Sequence, residues 1–177
     1  MEYEVKEKLY EEGKEELEIG NLDEAEEKFQ QILEEEPYEA AVLNKMGVIC
    51  IYREEEEKAE EYFQKALNVD PDNVPALTNM GNIHLEDGDM NKAEMLYRQA
   101  LRLDPKYGSA HNNLAHILKR TGRISEAVKH MKAAQKHGNI ALKPGALGKK
   151  EGARLSRATK IMLGLAVLVV ILYFLSR

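Results

Sequence analysis

The 177-residue chain has no tryptophan, one cysteine and only 6% aromatic residues. A lone cysteine, Cys50, excludes an internal disulfide and fits a reducing compartment. It falls on the apolar face of its segment and reads as an inert packing residue. No secretory signal is expected, because residues 1–20 form a Glu/Lys-rich helical segment. The marks of catalysis are missing as well. There is no phosphate-cradling glycine loop and no nucleophile elbow. None of the histidines His84, His111, His116, His130 and His137 pairs with the cysteine at metal-ligand spacing. His84 reads as a packed side chain, and His111 and His116 do not share a helix face. The acidic runs lack the Asp/Asn alternation and glycine of a calcium loop. The expectation is a protein that is not an enzyme, with no cofactor, no metal and no small-molecule substrate.

What the chain does have is a beat. Pro37, Pro71 and Pro105 are 34 residues apart, and the positions before them keep register. Ala25, Ala59, Ala93 and Ala127 share one position. Phe29, Phe63, Tyr97 and Met131 share another, and Gly13, Gly47, Gly81 and Ala115 a third. A period of this length marks a stacked repeat. Each unit divides into two helical patterns. In the third, Leu77, Met80, Gly81, His84 and Leu85 share a face. Gly88-Asp89 breaks the pattern, and Ala93, Leu96, Tyr97, Ala100 and Leu101 resume it. Pro105 closes the unit, because the residue before a proline is turned away from helical angles. Interior glycine costs about 0.8–1.0 kcal/mol relative to alanine, so Gly47 and Gly81 imply close backbone approach. Glu54 stands where the other turns carry Gly20, Gly88 and Gly122, a departure the pattern does not explain.

These residues resemble the tetratricopeptide repeat (TPR) family. The second unit matches at Leu43, Met46, Gly47, Cys50, Ala59, Phe63, Ala66 and Pro71. The third matches at Leu77, Met80, Gly81, His84, Ala93, Tyr97, Ala100 and Pro105. The first unit departs at Glu12, Glu16 and Ile32, and the fourth has Asn139 in place of proline. The resemblance covers about residues 6–139. It implies an all-α helical-repeat solenoid with units near 6–39, 40–73, 74–107 and 108–137, wound as a right-handed superhelix. Its first helices would line a concave groove holding a peptide or a partner helix. Groove positions by this resemblance are Asn44, Val48, Ile51, Thr78, Asn79, Asn82, Leu85, Asn112, Asn113, His116 and Lys119. A row of asparagines, each donor and acceptor, suits an extended backbone. Replacing Asn79 and Asn113 by alanine is expected to weaken partner capture and leave helicity intact. Some members clamp a peptide carboxylate with lysine and arginine. Here Asn79, Ser109 and Asn113 occupy three of those positions, so the resemblance does not extend to chaperone-tail binding.

Charge is uneven. Residues 1–70 carry 23 acidic against 8 basic side chains, and residues 71–137 carry 7 against 10. The acidic half reads first as a solvated face and second as a patch that attracts basic partners or repels nucleic acid. The amphipathic fourth unit, with Ile124, Ala127, Val128, Met131 and Ala134 on one stripe, is expected to cap the stack itself.

Residues 138–157 read as a flexible basic linker, with glycines and Pro144. Lys149, Lys150, Arg154, Arg157 and Lys160 then flank the run 161–175, which is apolar or glycine throughout. Fifteen residues make roughly 22 Å of helix, and flanking residues bring a span of 158–176 close to the ~30 Å hydrocarbon thickness. Basic residues before the span place the repeats in the cytoplasm. The layout resembles tail-anchored proteins. The Glu/Lys-rich style favours a bacterial cytoplasmic membrane over an outer mitochondrial or reticulum membrane. The reading is a membrane-tethered scaffold or adaptor that binds a protein partner in its groove. A self-assembling membrane factor, similar in layout to mitochondrial fission adaptors, ranks second. A regulatory subunit of a membrane enzyme complex ranks third.

Overall fold

A computed structural model describes residues 2–138, and these form eight α-helices in antiparallel pairs. They are α1 (Tyr3–Ile19), α2 (Leu22–Glu35), α3 (Ala40–Tyr52), α4 (Glu56–Val69), α5 (Val74–Glu86), α6 (Met90–Leu103), α7 (Gly108–Arg120) and α8 (Ile124–His137). The linker from residue 139 onward and the span at 158–176 lie outside the described residues. No helix among the described residues is long and apolar enough to cross a membrane.

Each helix packs mainly on its pair partner, and each second helix then packs on the first helix of the next unit. The aromatic of each of the first three units is sealed: Phe29, Phe63 and Tyr97 are almost fully buried. The reason is the glycine opposite. A Cβ placed on Gly13, Gly47 or Gly81 would lie 2.8, 2.5 or 2.6 Å from a ring carbon of Phe29, Phe63 or Tyr97. Only a bare backbone permits that approach. Apolar clusters run from Leu17 in the first unit to Ala127 in the last, and half-buried Val48 and Tyr62 touch both large clusters. Cys50 sits in this core, and burial pushes its thiol up.

Local chemistry sets the helix ends. The Asn73 side chain accepts from the Ala76 amide and the Asp89 side chain from the Lys92 amide, so both start their helices as N-caps. Before Pro71 and Pro105, Asp70 and Asp104 fold their carboxylates back onto the amides of Asp72 and Lys106. The turns inside each unit share one geometry. Gly20, Gly88 and Gly122 have φ of 89°, 87° and 78°, and Glu54 takes the same left-handed form at 64°. In all four, the next residue's amide reaches a carbonyl five residues back, as in Asp89 to His84 and Glu55 to Cys50. The backbone demand of the turn therefore prevails over the side chain at Glu54.

The fourth unit corrects the self-capping expectation. Of α8 only Ala127 is buried, whereas Ile124, Val128 and Met131 are 53%, 43% and 55% exposed. A left-handed residue with a side chain costs about 1–2 kcal/mol. Glu54→Gly should therefore raise unfolding stability by about 1 kcal/mol, and Gly88→Ala should lower it by a similar amount. Urea midpoints of the two variants check the pair, and equal midpoints would contradict the strain.

Candidate protein-binding groove

The first helices form a row in which α3 touches α5 and α5 touches α7. The 34-residue register puts four sets of residues along that row. Tyr10, Asn44, Thr78 and Asn112 form one set, and Glu11, Lys45, Asn79 and Asn113 a second. Lys14, Val48, Asn82 and His116 form a third, and Leu17, Ile51, Leu85 and Lys119 a fourth.

The middle of the row is stitched by amides. Asn79 Nδ2 donates to Asn44 Oδ1 at 2.9 Å, and Asn113 Nδ2 donates to Asn82 Oδ1 at 2.7 Å. The Tyr97 hydroxyl donates to the same Asn82 oxygen at 2.8 Å, fixing which way the amide points. Asn44 and Thr78 are only 6% and 2% exposed, and the Thr78 hydroxyl donates to the Val74 carbonyl of its own helix. The ligand-facing role expected of these two residues is therefore taken by the fold. Asn79 and Asn113 join neighbouring units, and losing each hydrogen bond costs about 0.5–1.5 kcal/mol. Val48, Ile51 and Leu85 are half-buried and pack against the core. Asn112, His116 and Lys119 are exposed, with Arg120 beside them.

Sequence reasoning stopped at the second unit and missed the first. There Glu11 pairs with Lys14 at 2.7 Å, and Lys14 lies over the Tyr10 ring at 5.6 Å. It also missed Lys45, which shares a register position with Asn79 and Asn113. Extending the 34-residue beat backwards from Asn79 would have found it. Lys45 is half-buried and carries no ion pair among the described residues. Burial, and then the neighbouring Lys14 ammonium, push its pKa down. The row thus runs from the carboxylates Glu7, Glu11 and Glu18 on α1, past the unpaired ammonium of Lys45, on which Glu18 and Glu11 act from a distance, to His116, Lys119 and Arg120 on α7.

Elsewhere charge holds units together. Arg53 bonds Asp23 and Glu26 of the unit before, and Arg123 bonds Glu94. Arg98 joins Glu94 at 2.8 Å and Glu126 at 3.0 Å. The Arg123 hydrogen bond is the main cause of the lowered Glu94 pKa. Within the last unit, His111 Nδ1 meets His130 Nδ1 at 2.7 Å, and His111 Nε2 meets the Pro105 carbonyl at 3.0 Å. A carbonyl only accepts, so neutral His111 carries its proton on Nε2 and His130 Nδ1 donates. Among the described residues no cluster of three or more His, Cys, Asp or Glu side chains could hold a metal ion.

Residues 10–137 match the family described as the cilia and flagella-associated protein 70 middle TPR-like domain. The chain belongs to that family. No curated protein matches it in sequence. Among solved structures this TPR-like domain superposes on MamA with a TM-score of 0.59, at 22% identity over 75% of this chain and 77% of MamA. A MamA RS-1 ArsTM double mutant gives 0.57 at 19% identity over 74% of each chain. A mutant Thermobaculum terrenum O-GlcNAc transferase gives 0.60 at 22% identity over 64% of this chain and 22% of that one. At such identities the likeness is one of fold. TPR domains typically bind protein partners, and this is a TPR-like protein-interaction domain.

The histidines give the domain a pH signature. His84 and His130 both have lowered pKa values, burial being the first cause in each. A base whose folded pKa is depressed adds stability above its unfolded value, near 6.5, and loses it as pH falls through the folded value. The urea midpoint should drop between pH 7.5 and 5.5, where carboxylates such as Glu94 stay ionised. His130→Gln should make that drop shallower. A flat profile, or a slope unchanged in the variant, would contradict the assignment.

Proposed function

We propose that this protein is a membrane-tethered adaptor without catalytic activity of its own. Its row of first helices is the groove that captures one segment of a cytoplasmic protein. The observation that carries the reading is Lys45, a half-buried ammonium in the middle of the row that makes no ion pair among the described residues and feels Glu18 and Glu11 of α1 only from a distance. Keeping a charge partly out of water with no carboxylate in contact is costly, and an incoming carboxylate offsets that cost. Around it Val48, Ile51 and Leu85 offer apolar contact, and Asn112, His116 and Lys119 offer hydrogen bonds and further positive charge. The partner segment is thus partly apolar and carries an acidic group near its middle. Its acidic end lies toward α7, because the carboxylates of α1 repel it from the other end.

The tether is the run 161–175 with Lys149, Lys150, Arg154, Arg157 and Lys160 before it. Eleven Leu, Ile, Val or Phe residues at roughly −0.3 to −0.6 kcal/mol each favour insertion by about 3 to 7 kcal/mol. The basic flank keeps the repeats on the cytoplasmic side of the membrane, and a bacterial cytoplasmic membrane is the favoured one.

Two measurements test the two halves. Proteins cross-linked to the full chain in membranes should fall about 10-fold or more in yield for Lys45→Glu combined with Lys119→Glu. Unchanged capture with unchanged helicity would sink the groove. The full chain should stay with the membrane pellet after an alkaline carbonate wash. Release into the supernatant would sink the tether.

A further inference from the structure

The stack ends on an unfinished face. Ile124, Val128 and Met131 follow one another at helical spacing on the outside of α8, all exposed, and no described residue lies over them. Their register shows what the face is. Met131 stands where Phe29, Phe63 and Tyr97 are sealed in the earlier units. Val128 stands where Glu26 and Glu94 bond an arginine of the following unit, Arg53 or Arg123. The fourth unit therefore keeps the seat for a next element but has replaced its carboxylate with a valine. Another arginine-bearing repeat does not fit there, and an apolar helix does.

We propose that the run 161–175 of the same chain occupies this seat whenever no bilayer is at hand. The proposal rests on reading that run as an apolar helix, the same run that serves as the tether above. Length supports it: α8 has 14 residues, about 21 Å, and a helix of fifteen residues is about 22 Å. So does position. Gly138 directly follows α8, and the 22 residues 139–160 separate it from Ile161. A flexible chain of that length spans about 23–28 Å, which matches a return along α8 and gives a local concentration in the millimolar range. A second copy is a poorer occupant. Its α1 presents Glu4, Glu7, Glu15 and Glu18, and seating carboxylates on the apolar Ile124, Val128 and Met131 would strip them of water. The seat would shield the run in transit and release it to lipid, so closing the stack and entering a membrane are alternatives for one segment.

The test uses the full chain, synthesised in a lipid-free extract, with Cys50→Ala to remove the native thiol. Val128→Cys is combined with Leu168→Cys at the centre of the run, and Tyr38→Cys with Leu168→Cys is the control at a distant exposed site. On mild oxidation the Val128 pair should give an intramolecular disulfide, seen as a faster-migrating monomer on a non-reducing gel, at least 5-fold more than the Tyr38 pair. Phosphatidylcholine–phosphatidylglycerol vesicles added during synthesis should lower that yield several-fold. Equal yields at the two sites, disulfide-linked dimers alone, or no disulfide would each overturn the seat. Flotation of the chain with the vesicles reads the tether separately, so a chain that floats but never cross-links refutes only the seat.

Discussion

Everything in this fold depends on one contact made three times. A glycine on the first helix lies against an aromatic ring sixteen residues later on the second, as Gly13 on Phe29, Gly47 on Phe63 and Gly81 on Tyr97. The ring fills the space that a side chain would take, and the two helices close to a fixed separation. Because that separation repeats, the units stack in register. Because they stack in register, Asn79 reaches Asn44 and Asn113 reaches Asn82 across unit boundaries. The continuous row of first helices is a product of that chain of distances. Where the contact lapses, with Ala115 and Met131 in the fourth unit, the ring is gone and Met131 faces outward.

Charge then divides the surface into tasks. Some carboxylates hold neighbouring units through arginine, as Glu26 does with Arg53 and Glu94 with Arg98 and Arg123. Others, on α1, give the row an acidic end. The opposite end carries His116, Lys119 and Arg120, and Lys45 lies between them without a carboxylate in contact among the described residues. Such a gradient orients an elongated partner more than it tightens it, since exposed charge contributes mainly to specificity and encounter rate. Burial lends Lys45 a larger share, because its field is less screened there.

Most of the architecture was legible in the sequence, since a strict period transmits itself to the backbone. The helix pairs, the sealed aromatics and the tight glycines at 47 and 81 all follow from residues spaced 34 apart. Glu54 was visible as an exception, but only its φ of 64° shows that the turn imposes a glycine conformation on glutamate. Side-chain pairing was less legible. His111 and His130 are nineteen residues apart on different helices, and no local pattern predicts that their rings meet in a hydrogen bond. Thr78 and Asn44 look like groove residues by register. Their burial depends on how deeply each helix sinks between its neighbours, which sequence spacing does not encode. The bare face of α8 was misread for a similar reason. An amphipathic stripe looks the same in one dimension whether or not something covers it.

The sharpest test of the account is a double-mutant cycle on the second unit, combining Gly47→Ala with Phe63→Leu and measuring unfolding free energy by urea denaturation. If the glycine exists to admit the ring, alanine should be costly beside Phe63 and much less so beside leucine. The coupling energy should then reach about 1 kcal/mol or more. Additivity to within about 0.3–0.5 kcal/mol would mean that ring and glycine act independently, and that something else sets the spacing of the stack.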